Sequence, residues 1–522
     1  MNTIQLILLL MSAAILLVGL AQKLQIPYPI ALILGGCAIS LVPGIAPIYF
    51  DPNLLLLVVL PPILYYAAFW ISHKEFKKNA RDIISLSLGL VLATTLIIGV
   101  IFKSFFPDLP WALAFAFGAI VSPPDVVAAT TILKKFALGS RLLNILEGES
   151  LINDASGLVL YKLAVIALLT GTFSMMDASA QFLKIAIGGV LVGIVAGYPI
   201  QYFSRKFLDP IVGSVFSFVI PYLVYILADH LQVSGVLAVV MAGLIGTRAV
   251  FRHHSSLRRV LGFIAWDFFM ILLNCFVFVL MGSQLRAITE NMSFKQLVTY
   301  TGYACVVTLA IFLIRLGWVY LNAALNYVIF NNQKKPTSRF HREAALIGWC
   351  GMRGIVSLTA ALALPYDLPD GSPMPGREVV IFITFIVILL TLLIPGLTLP
   401  RLISLLKIKQ STSFAATDSL RQQLTQAAEE EINRLFALGH LNKEEQQFLK
   451  NYFKARLRIL EISSPLEKDT YILEQARIQA LGKQRQLLMK LWEAGEVDDK
   501  VMSQLEREID VEETHWARAE IK

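Results

Sequence analysis

Charged residues are scarce in this 522-residue sequence, because Asp, Glu, Lys and Arg make up 16% of it, against about 25% in a soluble protein. Apolar residues make up 56%, and the mean hydropathy is +0.66. The lack of charge excludes an ordinary soluble globular protein and predicts a polytopic membrane protein. Cysteine is also rare: four cysteines lie singly in apolar segments, without the spacing of metal ligands or of a disulfide framework. We interpret them as packing residues.

The net charge of +8 is divided unevenly along the chain. Residues 1–406 carry 27 basic and 17 acidic groups, whereas residues 407–522 carry 18 and 20. We therefore predict a transmembrane domain over 1–406 and a helical cytoplasmic region over 407–522, for regulation or dimer contact, with a solvated tail as the alternative. Ser464-Pro465 is typical of a helix start and predicts an amphipathic helix from Leu466 to Trp492. The basic excess suits loops that face anionic lipid rather than nucleic acid. No Gly-rich phosphate loop or metal-ligand cluster occurs, and we expect no cofactor.

Thirteen apolar runs in the first domain have about the length that a helix needs to cross a bilayer. The sequence thus predicts an all-α protein with 13 transmembrane helices, at about 3–20, 27–43, 54–72, 84–106, 111–135, 141–170, 183–204, 211–230, 234–249, 262–285, 296–322, 342–365 and 378–405. The loops between them alternate in charge, with 18 Lys and Arg in one set and 5 in the other. By the positive-inside rule, the N-terminus lies outside and the C-terminus in the cytoplasm. We read the first run as a retained helix rather than a signal peptide and expect the plasma (inner) membrane.

Two of these spans are interrupted near their middle. The fifth contains Ser122-Pro123-Pro124-Asp125, where proline removes backbone donors. The twelfth contains Gly351-Met352-Arg353-Gly354. If spans 1–6 and 8–13 are inverted six-helix repeats joined by span 7, these are the fifth helices of both repeats. Broken, crossing helices at corresponding positions mark the central site of a transporter, although two ordinary helix kinks are the alternative.

The sixth span carries Gly148-Glu149-Ser150-Leu151-Ile152-Asn153-Asp154 within an apolar run. Each intramembrane carboxylate costs about 2.5 to 3.5 kcal/mol, so such acids usually mark an ion or proton site, with a structural ion pair as the alternative for Asp154. On a helix, Ser150 and Asp154 share one face, and Glu149 and Asn153 share the next. Arg315, deep in span 11, requires a carboxylate partner, for which Glu149 is the candidate.

These residues suggest a mechanism of competition. Low dielectric favours the protonated carboxyl of Asp154, and an entering cation restores the charged form and ejects the proton. Ser150, Asn153, Asp125 and the carbonyl of Pro124 could complete the oxygen-rich shell that a hard cation such as Na⁺ prefers. Asp267, near the cytoplasmic end of span 10, is interpreted as a capping or snorkelling residue.

Five short motifs in order then show a resemblance over about residues 1–406. They are Leu60-Pro61-Pro62-Ile63-Leu64, Ser122-Pro123-Pro124-Asp125-Val126-Val127-Ala128, Gly148-Glu149-Ser150-Leu151-Ile152-Asn153-Asp154, Ser234-Gly235-Val236-Leu237-Ala238-Val239-Val240 and Gly351-Met352-Arg353-Gly354. The chain resembles sodium/proton exchangers of the monovalent cation/proton antiporter-1 family.

This resemblance implies a homodimer with elevator-like alternating access and no enzymatic activity. It implies that Glu149 and Arg315 are the family's paired acid and arginine. The pair Asn153-Asp154 resembles that of the electroneutral branch, which exchanges one cation for one proton. The chain departs from some members at Tyr65 and Tyr66, where those members carry a glutamate, which argues against a carboxylate ligand from span 3.

Other functions remain open from the sequence. A K⁺/H⁺ exchanger is one, with Li⁺ a further candidate cation, because ligand number and cavity size decide selectivity. A cation channel is another, but no repeated carbonyl filter motif occurs. An intramembrane aspartyl protease would need Asp125 and Asp154 as its pair, but the sequence contains no Gly-x-Gly-Asp motif.

Overall fold

The computed structural model of the protein describes residues 3–24, 26–42, 52–71, 73–133, 136, 140–171, 175–253, 256–290, 292–329, 338–369, 371–406, 413–462, 480–490, 505 and 509. Over these residues the regular structure is helical, apart from one isolated bridge between Asp367 and Pro373. The chain divides into two compact units, Met1–Lys409 and Gln410–Lys522. We describe each by itself.

The first half of the larger unit contains nine α-helices among its described residues, with a π-helical segment at Ser85–Gly89 between the fifth and the sixth. Their bounds are Thr3–Lys23 (α1), Tyr28–Ser40 (α2), Pro52–Trp70 (α3), His73–Lys78 (α4), Ala80–Ile84 (α5), Leu90–Phe105 (α6), Trp111–Val121 (α7), Val126–Leu133 (α8) and Ser140–Thr170 (α9).

The second half continues in the same manner with nine more described α-helices. Their bounds are Met175–Phe207 (α10), Pro210–His230 (α11), Gly235–His253 (α12), Ser256–Ser283 (α13), Leu285–Thr289 (α14), Phe294–Ile329 (α15), Ser338–Trp349 (α16), Ile355–Leu362 (α17) and Arg377–Leu406 (α18).

Seven stretches of the described helices are long and apolar enough to cross a membrane, and five shorter apolar helices accompany them. The long stretches are Ala80–Phe105, Arg141–Thr170, Ala180–Phe207, Pro210–His230, Arg259–Thr289, Phe294–Ala324 and Arg377–Leu406. An all-helical membrane protein is therefore confirmed. The number of thirteen spans and the inverted repeat stay predictions.

Small residues let some of these helices pack with their backbones nearly touching, as helices in membranes often do. A Cβ on Gly282 of α13 would lie 2.1 Å from the carbonyl oxygen of Ile33 on α2. Likewise, a Cβ on Gly36 of α2 would lie 2.3 Å from the carbonyl oxygen of Val279 on α13. Glycine is thus required on both sides of the contact between α2 and α13.

Two helical rods are interrupted inside the unit. The rod that begins at Trp111 ends at Val121 and resumes at Val126, because Pro123 and Pro124 have no N–H with which to continue the helix. The other rod ends at Trp349 and resumes at Ile355. Helix α9 packs against both halves of the first rod, and α18 packs against both halves of the second. These neighbours enclose the two interruptions.

The smaller unit is helical where it is described. Helices Ser413–Ala437 (α19) and Lys443–Ile462 (α20) pack together, and residues 480–490 are also helical. A capping box begins α20: Asn442 Oδ1 accepts from the N–H of Glu445 at 2.8 Å, and Glu445 Oε2 accepts from the N–H of Asn442 at 2.9 Å. The helix start predicted at Ser464-Pro465 lies outside the described residues.

We predict that Gly282→Ala lowers the free energy of unfolding by about 1–3 kcal/mol, because the new methyl group meets backbone that cannot rotate away. Thermal unfolding in detergent measures this. The matched control is Gly302→Ala in α15, where a Cβ has no neighbour within 4 Å, and this variant should be as stable as wild type. Equal midpoints for the two variants would contradict the close packing of α2 and α13.

Candidate cation-binding site

The two interruptions touch each other through their backbones. The N–H of Asp125 donates to the carbonyl oxygen of Met352 at 2.6 Å. Arg353, only 2% exposed, reaches back to the end of α7: its Nε donates to the carbonyl of Val121 at 2.8 Å and its Nη2 to that of Ser122 at 3.2 Å. Its Nη1 donates to the carbonyl of Gly351. One guanidinium thus satisfies unpaired carbonyls at the C-terminal ends of both broken rods, where the helix dipoles are negative.

Asp125 occupies the complementary position. It directly precedes Val126, the first residue of α8, and it lies against Gly354, which caps the N-terminus of α17. A Cβ on Gly354 would lie 1.8 Å from Asp125 Oδ2, so only glycine leaves room for this carboxylate. A negative charge at two helix N-termini is stabilised by their dipoles. We call the contact between the two interruptions, 122–125 and 350–354, the crossing. It has Arg353 at the negative helix ends and Asp125 at the positive ones.

Helix α9 packs against the first interruption and adds polar side chains to the site. Asn153 is fully buried, and its Nδ2 donates to the carbonyl of Pro124 at 3.2 Å. Its Oδ1 has no hydrogen-bond partner among the described residues. Asp154, the next residue of α9, is 9% exposed. Ser150, one turn earlier, is half-buried. Buried oxygens around a carboxylate are ligands that suit a hard cation.

A separate ion pair lies beside this group. Arg315 of α15 is 1% exposed and Glu149 is fully buried. Arg315 Nη2 donates to Glu149 Oε2 at 2.7 Å, and Nη1 donates to Oε1, so the pair is bidentate. Arg315 Nε donates to the carbonyl of Ile347 at 2.8 Å and so ties α15 to α16. Because Glu149 satisfies Arg315, this arginine does not neutralise Asp154.

The tyrosines that replace the glutamate of some exchangers have other partners. Tyr65 is buried, and its hydroxyl accepts from Gln201 Nε2 at 3.1 Å. The Tyr66 hydroxyl donates to Asp267 Oδ1, and the Tyr66 ring stacks on Trp266 with the ring centroids 6.0 Å apart. Asp267 is exposed, lies well inside α13 and accepts this hydrogen bond from α3, so the expected capping role is not the one that the structure shows.

Sequence reasoning missed how Arg353 acts. It identified this residue only as part of the broken helix, whereas the side chain joins both interruptions and its N–H donates to Thr391 Oγ1 at 3.1 Å. An arginine flanked by glycines in an apolar span was the available signal. Sequence reasoning also gave no role to Ser357, and a lone serine in an apolar helix carries no signal of its own.

The fold and this arrangement define a class of membrane transporter. The sequence profile of the transmembrane sodium/hydrogen exchanger family matches residues 9–405, and the chain belongs to this family of antiporters. It is therefore a monovalent cation/proton antiporter by family, and not an enzyme.

Particular relatives are similar to most of the chain. An uncharacterised Na⁺/H⁺ exchanger of Mycobacterium tuberculosis is 29% identical over 97% of this chain and 94% of the relative. A sodium, potassium, lithium and rubidium/H⁺ antiporter of Bacillus pumilus is 32% identical over 84% of this chain and 66% of the relative. The sodium proton antiporter MjNhaP1 of Methanocaldococcus jannaschii, solved at pH 8, superposes with a TM-score of 0.59 at 20% identity. That superposition covers 76% of this chain and 97% of MjNhaP1, and it shows a shared fold.

We predict that Glu149→Gln and Arg315→Ala each lower the free energy of unfolding by about 3–5 kcal/mol, because each leaves a buried charge without its partner. Thermal unfolding of the purified variants measures this loss. The control is Arg141→Gln, which breaks an exposed pair with Asp82 at 3.3 Å and should cost about 1 kcal/mol or less. Wild-type stability in either buried variant would show that the pair is not structural.

Proposed function

We propose that this protein exchanges Na⁺ for H⁺ across the membrane with 1:1 stoichiometry, and that the two ions compete for Asp154. Protonation neutralises the carboxyl in its buried site, and a cation that enters from water restores the charged form and releases the proton. Asp125, Ser150, the Asn153 amide oxygen and the carbonyl of Pro124 are the proposed further ligands. Na⁺ and H⁺ are substrates here, and the mechanism requires no cofactor.

The observation that carries this proposal is the buried carboxylate of Asp154 in α9. The two buried arginines of this region have other contacts: Arg315 binds Glu149, and Arg353 binds backbone carbonyls. Burial disfavours the charged form of Asp154, so this carboxylate requires one H⁺ or one monovalent cation. Two singly charged alternatives at one site give an electroneutral exchange.

A second candidate is exchange of K⁺ or Li⁺ for H⁺. The name of the Bacillus pumilus relative includes potassium and lithium as well as sodium. The carboxylate of Asp154 could take any of these cations, because the ligand number and the size of the cavity decide among them.

The transport cycle that we propose is an elevator-type alternating access in a homodimer of the plasma (inner) membrane. The broken rods and α9 would move together, because the contacts of Asp125, Arg353 and Asn153 tie them into one body. Basic loops favour an external N-terminus and a cytoplasmic C-terminal region, 407–522, which would serve regulation or dimer contact. Such a protein would contribute to sodium and pH homeostasis.

We predict that Asp154→Asn abolishes exchange and leaves the fold intact, because the amide cannot alternate between a protonated and a charged form. Cation-driven proton flux in proteoliposomes measures the loss, and thermal unfolding checks the fold. The matched control is Asp229→Asn near the end of α11, which should transport normally. Normal flux in Asp154→Asn would refute competition at this residue.

Stoichiometry and ion choice can be measured in the same vesicles. An internal pH dye would follow proton flux under gradients of Na⁺, K⁺ or Li⁺, with the membrane potential clamped at zero and then at a large value. We expect a cation-dependent pH change that does not respond to the potential, because each cycle moves no net charge. A flux that follows the potential without coupling to pH would indicate a channel instead.

A further inference from the structure

Ser357 presents a buried hydroxyl that the contacts of the site do not explain. The residue is 1% exposed, and its Oγ has no hydrogen-bond partner among the described residues. Burial of an unpaired hydroxyl costs stability, and buried polar atoms are nearly always paired, so such an atom requires an explanation. Asn153 Oδ1 is in the same condition.

The position of Ser357 places it at the crossing. It lies in the first turn of α17, three residues after Gly354, against which the Asp125 carboxylate rests. Residues three apart are neighbours on a helix surface. Ala360, Ala361 and Leu364 continue the face of Ser357 at helical spacing, and they pack in one cluster with the last residues of α7. Ser357 therefore lies on the face of α17 that packs against α7.

The two helices that carry these unpaired oxygens, α9 and α17, both contact the first interruption. Asn153 approaches Ser122-Pro123-Pro124-Asp125 from α9, through the carbonyl of Pro124. Ser357 belongs to α17, whose N-cap residue Gly354 contacts the Asp125 carboxylate. Asn153 directly precedes Asp154 in α9, and Ser357 is the third residue after Gly354. A hard cation held by these carboxylates would take up lone pairs on both oxygens.

We infer that Ser357 Oγ is an oxygen ligand of the transported cation and so joins α17 to its coordination shell. This inference deepens the proposed function and rests on it. It adds to the shell an oxygen from the second broken rod, beside those from α9 and from the first interruption that the proposed function already includes. Because a neutral hydroxyl adds no charge, the ligand affects the affinity and selectivity for cations without altering the stoichiometry.

The test compares Ser357→Ala with wild type in proteoliposomes, using Na⁺ and Li⁺ as probes. The apparent KM for both cations should rise by about three- to tenfold, which is the effect of losing one polar interaction. Thermal stability without Na⁺ should be equal or higher, because an unpaired buried hydroxyl is removed. The stabilisation that Na⁺ gives to the detergent-solubilised protein should shrink at a fixed Na⁺ concentration.

Two further variants make the test decisive. Ser357→Cys keeps nearly the same volume but replaces the oxygen by a soft sulfur, so it should weaken Na⁺ binding as Ser357→Ala does. Thr308→Val removes another unpaired buried hydroxyl, on α15, and should leave the KM unchanged. An unchanged KM in both Ser357 variants would overturn the inference and leave Ser357 a packing residue. Absence of cation-coupled flux in wild type would instead refute the proposed function itself.

Discussion

The bidentate pair between Arg315 and Glu149 joins α15 to α9 about one turn before Asn153 and Asp154. It also holds α16 through the carbonyl of Ile347. Both charged groups are withdrawn from water. Their mutual attraction offsets the cost of this desolvation only when the hydrogen-bond geometry is good. The pair therefore fixes the position of α9 and, at the same time, removes the nearby arginine as a permanent partner for Asp154. Structural order around the site and the availability of its aspartate both follow from this one interaction.

The interrupted helices also place polar groups where water cannot reach them. Breaking two rods inside a membrane exposes carbonyls and N–H groups that cannot reach water. Arg353 donates to the carbonyls of Val121 and Ser122, and Asp125 lies at the opposite helix ends beside Gly354. These two residues compensate the ends that the breaks create.

The elements that could be predicted from the sequence are those with a strong local cause. Pro123 and Pro124 cannot continue a helix, so the first interruption could be predicted from residue types alone. An arginine in the middle of an apolar span requires an acidic partner, so Glu149 could be proposed as the partner of Arg315. Two other features depend on how distant segments of the chain pack together, which no local pattern encodes. They are the hydrogen bonds from Arg353 to the end of α7 and the contact of Asp125 with Gly354. The number of thirteen spans stays a prediction, because short apolar helices such as Tyr28–Ser40 resemble spanning and non-spanning segments equally.

Asn153 links this geometry to the stoichiometry of the proposed exchange. Its side chain occupies the position beside Asp154 and offers a buried oxygen, yet it carries no charge. In the exchange that we propose, a second carboxylate there would add a negative charge beside Asp154, and the site would then need a further monovalent ion for neutrality. With asparagine, a single proton or a single cation neutralises Asp154, and both loaded forms of the proposed site carry the same charge. The uncharged amide at this position is therefore the feature of α9 that fits the proposed one-for-one stoichiometry.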